Sequence, residues 1–160
     1  MAFNYRIAKE QEREIVYFNG KINEDAEVTL AELDDKVGTS CTFNLRDIAG
    51  INSLGVRVWI NFIRSFEEGR TIQLEECTPE IVNQMNMIPN FRGHCDIQSV
   101  YASYACENCG AEKLQLFKVG ENMPTSLGTK TLPRVPCPKC GAPMEMEELE
   151  DEFFGWLTLQ

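Results

Sequence analysis

Residues 44–55 read NLRDIAGINSLG and connect a strand-like pattern to a helix-like one. Upstream, apolar residues at 41, 43 and 45 alternate with polar residues at 42, 44 and 46, which is the period of a half-buried strand. Downstream, Val56, Trp59, Ile60 and Ile63 follow the i, i+3, i+4, i+7 spacing of an amphipathic helix over residues 53–66. The stretch therefore predicts a strand that passes through a short connection into the start of a helix.

The same alternation extends to both sides of this stretch. We expect the second strand to end in a turn at Asn19-Gly20, and the first helix to end before Gly38 with Val28 on its inner face. The predicted strands cover residues 5–8, 14–18, 41–46, 71–74 and 97–104, and the predicted helices cover residues 26–37, 53–66 and 79–88. Because each helix can return the chain to the same edge, this order predicts an α/β fold with a mixed, mainly parallel sheet and helices packed on it.

Two copies of the pattern C-x-x-C-G-A predict one structural metal site. They are Cys106 with Cys109, and Cys137 with Cys140. Two residues between the cysteines let both sulfurs of one turn reach a single ion, and the following glycine permits the positive φ of such a turn. Four thiolates form the tetrahedral shell that zinc favours, so we predict one zinc ion in a small β ribbon.

Iron is the alternative metal, because paired C-x-x-C-G turns at a similar separation also resemble rubredoxins. Those proteins pack several aromatic residues around their iron, whereas Phe117 is the one aromatic residue between the two pairs here, so zinc is favoured. A redox dithiol is typically one exposed pair that opens a helix, and a catalytic zinc usually has three protein ligands and an open position. Two matched pairs therefore indicate a structural site.

The composition changes near Ala105, where we place a boundary between two domains. Residues 1–105 carry the strand–helix alternation, while residues 106–160 carry the cysteine pairs, five of the seven prolines and an acidic run over residues 145–152. The 27 residues from 110 to 136 are predicted to form a hairpin, with alternating side chains at 114–119 and a Gly/Pro-rich return. The strand at 97–104 is expected to lead directly into Cys106.

Charge and hydropathy exclude several classes of protein. The formal charge is −10, from 15 basic and 25 acidic residues, and no long Lys/Arg cluster offsets it, so nucleic-acid binding is disfavoured. No apolar run approaches the roughly 18 residues of a membrane span, and the N-terminus lacks the pattern of a signal peptide. We therefore expect a cytoplasmic protein without membrane insertion, whose remaining cysteines, Cys41, Cys77 and Cys95, are reduced and act as small apolar side chains.

The stretch at 44–55 resembles the signature of STAS domains (sulfate transporter and anti-sigma-factor antagonist). That family has a strand ending D-L, a short link, and D-S-S-G at the start of a helix. Phe18-Asn19-Gly20-Lys21-Ile22 resembles its early F-x-G-x-L/I strand end, and residues 69–74, GRTIQL, resemble its G-x-x-L-x-L. The resemblance covers residues 4 to 104, so it implies a STAS-like domain followed by the zinc ribbon.

The resemblance implies a domain that binds a protein partner. In antagonists of anti-sigma factors the first serine of D-S-S-G is phosphorylated by a partner kinase, and Ser53 holds that position here. Both acidic positions of the pattern are amides in this chain, Asn44 and Asn52, and the second serine is Leu54. The sequence leaves two roles open for Ser53, a regulatory phosphoserine and an N-cap of its helix.

The start of this helix is the candidate partner-binding surface. Its candidate contact residues are Asn52, Ser53, Leu54, Val56, Arg57 and Trp59. Aromatic residues at helical spacing are mostly core, so Trp59, Phe62 and Phe66 are interpreted as core side chains, with a partner interface as the alternative.

These patterns favour a non-enzymatic regulatory or scaffold protein. The candidate partners are an anti-sigma or serine-kinase-like regulator, a transporter complex, or a larger assembly, with the ribbon as a second docking element. The alternative is a transcription-associated zinc-ribbon factor that contacts polymerase or nucleic acid, but five basic against nine acidic residues from Cys106 onward disfavour it. No pattern of catalytic residues or phosphate-binding loop indicates an enzyme.

Overall fold

The computed structural model describes residues 2–123 and 132–159 of the chain. Eight strands and four α-helices follow one another in the described residues, with short 3-10 turns at Glu32–Asp35 and Gly155–Leu159. The strands are β1 (Asn4–Glu10), β2 (Arg13–Ile22), β3 (Ser40–Ile51), β4 (Thr71–Glu75), β5 (Asp96–Ile97), β6 (Ser99–Ala105), β7 (Glu112–Lys118) and β8 (Glu145–Met146). The helices are α1 (Ala26–Ala31), α2 (Ser53–Phe66), α3 (Pro79–Met87) and α4 (Glu150–Phe153).

Strands β1 to β5 form one sheet in chain order. β1 is antiparallel to β2, while β2, β3, β4 and β5 are parallel, each pair being connected through one of the helices α1, α2 and α3. The predicted mixed, mainly parallel α/β sheet is therefore confirmed, as is the predicted helix at residues 53–66.

Two details of the predicted pattern are wrong. Asn19-Gly20 is not a turn: β2 continues to Ile22, with shifts in its pairing to β3 near these residues. Gly20 has φ +94, and a side chain there would collide with the carbonyl of Ala2. The predicted helix over 26–37 ends at Ala31 and continues as a 3-10 turn. Its buried face is formed by Ala26, Leu30 and Leu33, so Val28 lies on the opposite side and is 73% exposed.

The core of the N-terminal sheet is rich in aromatic side chains. Trp59 and Phe66 of α2 are buried against Phe18 of β2 and Phe43 of β3, with ring centroids 5.1 to 6.1 Å apart. Such pairs add stability beyond the apolar area that they bury. The core interpretation of the α2 aromatic residues is therefore confirmed for Trp59 and Phe66, while Phe62 is partly buried.

A second sheet, which we call the ribbon, has the strand order β7-β6-β8, with both pairs antiparallel. β6 begins two residues after β5, and Val100 of β6 forms a parallel bridge with Cys77, just beyond β4. One continuous segment, residues 96–105, thus pairs first with the parallel sheet and then with the ribbon. As expected, this segment leads directly into Cys106, whereas the proposed domain boundary at Ala105 stays a prediction.

The hairpin predicted between the cysteine pairs is placed differently. β7 pairs with β6 upstream of the first cysteine pair, so this pair forms the turn of the hairpin. The Gly/Pro-rich return falls partly on residues 124–131, outside the described residues. Pairing with β6 is favoured because it joins neighbours in the chain across a tight turn.

The segment after the acidic run packs against both α3 and β7. Phe153, Phe154 and Trp156 are buried, and the ring of Phe154 lies 5.6 Å from that of Phe117 on β7. The amide of Asn86 on α3 donates hydrogen bonds of 3.0 Å to the carbonyls of residues 152 and 153. The hydrophobic core is therefore continuous from the parallel sheet to the ribbon.

Candidate metal centre and candidate docking site

The two C-x-x-C-G-A copies fold into two turns with the same backbone hydrogen bonds. In the first, Cys106 N–H donates to Ala111 and Gly110 N–H donates to Cys106, both at 2.8 Å. In the second, the corresponding bonds are 2.7 Å (from Cys137 N–H) and 2.9 Å (to the Cys137 carbonyl). The glycines at 110 and 141 have φ of +78 and +77, a conformation that favours glycine. The repeat in the sequence is therefore a repeat in the structure.

The four sulfurs of these turns converge. All lie within 4.8 Å of one another, and the Cys106–Cys140 and Cys109–Cys137 sulfur pairs are each 3.5 Å apart. A zinc–sulfur distance of about 2.3 Å sets sulfur–sulfur separations of about 3.8 Å in a regular tetrahedron. All four cysteines are free rather than disulfide-bonded. The cluster is compatible with a tetrahedral metal site.

The cluster has a buried side and an exposed side. Cys106 and Cys137, the first residue of each turn, are buried, while Cys109 and Cys140 are exposed. The Asn108 amide donates to Cys140 Sγ at 3.4 Å, and this bond, together with hydrogen bonds from the Ala142 N–H and from Cys106, lowers the pKa of the Cys140 thiol to about 6. Backbone N–H groups of residues 140 and 139 lower the pKa of Cys137. These donors stabilise the thiolate forms of Cys137 and Cys140, and the thiolate is the form that binds a metal.

The other three cysteines lie in a different environment. Burial raises the pKa of Cys41 to about 11 and that of Cys77 to about 12, and it raises the pKa of Cys95 as well. They are neutral thiols packed among apolar side chains, as the sequence predicts for cysteines without a partner pair.

At the start of α2 the N-cap is Asn52, not Ser53. The Asn52 side-chain oxygen accepts a 2.7 Å hydrogen bond from Gly55 N–H, and its amide donates to Glu24 at 3.4 Å. Ser53 is the first residue of the helix and is exposed. The N-cap interpretation of Ser53 is therefore wrong, because the residue before it makes the capping bond.

Gly55 is required by a close backbone approach at the same place. A Cβ on Gly55 would lie 1.9 Å from the carbonyl oxygen of Ile22, which also accepts a 3.2 Å hydrogen bond from Asn52 N–H. The N-terminus of α2 is thus fixed against the end of β2, with Ser53 and Leu54 directed to solvent; Leu54 is 50% exposed.

The candidate contact residues separate into two groups. Asn52, Ser53, Leu54 and Arg57 are exposed and Val56 is half-buried. Trp59 must be corrected, because it is 1% exposed and its ring packs inside the core. Helical spacing correctly places Trp59 and Ile63 on one face of α2, but the packing of α2 on the sheet is needed to show that this face is buried.

A groove between α1 and α2 adjoins these residues, and the sequence did not indicate it. It has a volume of about 300 Å³ and is lined mainly by Leu30, Ala31, Val58 and Phe62, with Glu27 and Arg57 also on its walls. No sequence pattern could reveal it, because it depends on the relative position of two helices.

The comparisons with known proteins find a likeness among solved structures. The chain matches no protein-family model and no curated protein. Among solved structures it is similar to the anti-sigma factor antagonist SpoIIAA in its unphosphorylated form, with 16% sequence identity and a TM-score of 0.40. The match covers 60% of this chain and 86% of that chain.

No helix within residues 2–123 and 132–159 is long and apolar enough to cross a bilayer.

Proposed function

We propose that this chain is a non-enzymatic regulatory or scaffold protein that binds a protein partner at the N-terminus of α2. The observation that carries the proposal is the position of Ser53 in the first turn of α2. Ser53 is exposed, and it does not cap the helix because Asn52 makes the capping bond. A helix N-terminus attracts anions through its free N–H groups and its dipole, so a phosphate on Ser53 would be accommodated without unfolding the helix.

The charges around Ser53 support a switch. Arg57 lies four residues later on the same helix, so its guanidinium is within reach of a phosphate on Ser53. On the other side, Glu24 bonds Asn52, and Glu80 accepts a 3.2 Å hydrogen bond from Ile51 N–H. A phosphoserine adds nearly two negative charges between these groups. These charges would draw the Arg57 side chain toward the phosphate and make the surface around Leu54 repel an acidic or apolar partner.

The metal ribbon is the second part of the proposal. We infer one zinc ion on Cys106, Cys109, Cys137 and Cys140, with iron as the alternative. The ion would hold the two turns together and keep the β6–β7 hairpin and β8 in one sheet, so that the ribbon serves as a second docking element. Candidate partners remain an anti-sigma or serine-kinase-like regulator, a transporter complex, or a larger assembly.

The first experiment is affinity capture of the tagged chain from its own cells, with mass spectrometry of partners and of Ser53. A kinase-like regulator together with phosphate on Ser53 supports the switch. A transporter or large assembly with Ser53 unmodified supports a fixed docking subunit.

Matched variants test whether the docking surface is at α2. Ser53→Asp should reduce capture of the same partner, while Ser40→Asp, at an exposed serine at the start of β3, should not. Equal capture by both variants and the parent chain would exclude docking at this helix. Metal content measured on the same protein tests the ribbon separately. We expect a colourless protein with one zinc ion per chain, and a red protein would indicate iron.

A further inference from the structure

We propose that Asn108 is a positioning residue of the metal centre that protects Cys140 from reaction. Cys109 is then the more reactive and more readily released of the two exposed cysteine ligands. The inference rests on the metal proposal above and concerns how this chain holds the ion. It starts from the near-symmetry of the two turns, whose glycines and backbone hydrogen bonds correspond one to one.

The two turns differ at the residues between their cysteines. The first has Glu107-Asn108 and the second has Pro138-Lys139. Asn108 reaches across the cluster, and its amide donates to Cys140 Sγ at 3.4 Å. Lys139 corresponds to Asn108, and among the described residues its hydrogen bond to a sulfur comes from its backbone N–H, which donates to Cys137 of its own turn at 3.4 Å.

The difference falls on the two exposed sulfurs. Cys109 and Cys140 occupy equivalent positions, and both are exposed, so solvent and reagents reach them similarly. Within the described residues, Cys140 alone of the two accepts a side-chain N–H from outside the cysteine cluster. A hydrogen bond to a metal-bound thiolate withdraws electron density from the sulfur, which lowers its nucleophilicity and orients it toward the ion.

The asymmetry predicts an order of reaction. In zinc-loaded protein, Cys109 should be attacked first by an electrophile or released first to a chelator, while Cys140 stays bound. Removal of an outer donor of this kind typically lowers metal affinity by about 10-fold or more. Asn108→Ala should therefore weaken zinc binding by about 10-fold. Asn108→Asp, of the same shape but with a carboxylate facing the thiolates, should weaken it further.

The test uses the full chain loaded with one zinc ion and treated with limiting N-ethylmaleimide. Mass spectrometry then measures the alkylation rate of each ligand cysteine, and a competing chelator measures zinc affinity. In the parent chain Cys109 should be alkylated several-fold faster than Cys140. In Asn108→Ala the Cys140 rate should rise to that of Cys109, and Glu107→Gln, the neighbouring exposed position, should leave both rates unchanged.

The results distinguish failure of the proposed role of Asn108 from failure of the metal proposal. Equal alkylation of Cys109 and Cys140 in the zinc-loaded parent, or an Asn108→Ala variant with parental rates and affinity, overturns the role of Asn108 and leaves the metal proposal intact. A parent chain that binds no zinc overturns both. Cobalt substitution checks folding of the variants, because a tetrahedral four-thiolate cobalt spectrum in Asn108→Ala shows that the site still assembles.

Discussion

The hydroxyl of Tyr101 donates a 2.7 Å hydrogen bond to the Glu76 carboxylate, and this bond joins the ribbon strand to the end of the parallel sheet. Glu76 also accepts a hydrogen bond from the amide of buried Asn44, which bonds Glu75 as well at 2.8 Å. Glu76 has φ +50, so the regular alternation of side chains is broken there and two consecutive carboxylates reach the same amide. The polar network therefore lies where the chain passes from one sheet to the other.

Asn44→Asp should strongly destabilise the fold. The substitution replaces a donor shared by two carboxylates with a third carboxylate at a position that is 3% exposed. The lost charge-assisted bonds and the new repulsion should lower the free energy of unfolding by on the order of 3 kcal/mol, measured by urea denaturation at neutral pH. The loss should shrink at acid pH as the extra carboxylate is protonated. Glu76→Gln in the same chain should recover much of the stability by restoring a donor, and a double variant as unstable as the single one would contradict this account.

Stability should fall at alkaline pH partly through Tyr101. Burial, together with the hydrogen bond to Glu76, raises the pKa of Tyr101 from 10.0 to about 12. Because the folded state retains the proton longer than the unfolded state, this contribution is complete below about pH 10 and is lost as the pH rises toward 12. Tyr101→Phe should flatten that part of the profile and cost about 1 kcal/mol at neutral pH. Part of the slope should remain, since burial also raises the pKa of Tyr104 to about 12; an unchanged slope would refute the role of Tyr101.

Gly55→Ala should prevent α2 from docking on the sheet. The added methyl group would lie 1.9 Å from the Ile22 carbonyl oxygen, and neither backbone can yield without breaking the capping bonds. We expect a loss of at least about 3 kcal/mol, measured by thermal and chemical unfolding. Gly69→Ala is the control, because nothing lies within 4 Å of its Cβ position and only its φ of +73 opposes the change. A Gly55→Ala chain as stable as the control would disprove the close approach.

Cys106→Ser should remove the metal and loosen the ribbon while the parallel sheet persists. Hydrogen exchange should become fast in β7 and β8, whose pairing depends on the two turns, and stay slow in β3. The C-terminal aromatic residues pack on both parts, so the melting temperature of the parallel sheet should also fall modestly. Parental zinc content and an unchanged exchange pattern would show that Cys106 is not a ligand.

Local patterns in the sequence were sufficient for the order of the strands and helices from β1 to α3, the bounds of α2 and the four cysteines that converge. Helical spacing, glycine positions and each C-x-x-C-G-A pattern span about eight residues or fewer, so they can be recognised in the sequence without the fold. The same local information placed Val28 on the wrong face, because apolar residues lie on both sides of α1 and the packing on the sheet selects the side of Ala26 and Leu30.

The relationships between distant residues depend on the tertiary structure. The packing of α2 against Ile22 assigns the cap to Asn52 and leaves Ser53 exposed, and the crossing of the two turns brings Asn108 to Cys140. The C-terminal aromatic residues follow an acidic run, yet they are buried against α3 and β7. These contacts join positions tens of residues apart, and their energies depend on burial and shape, which no short stretch of sequence specifies.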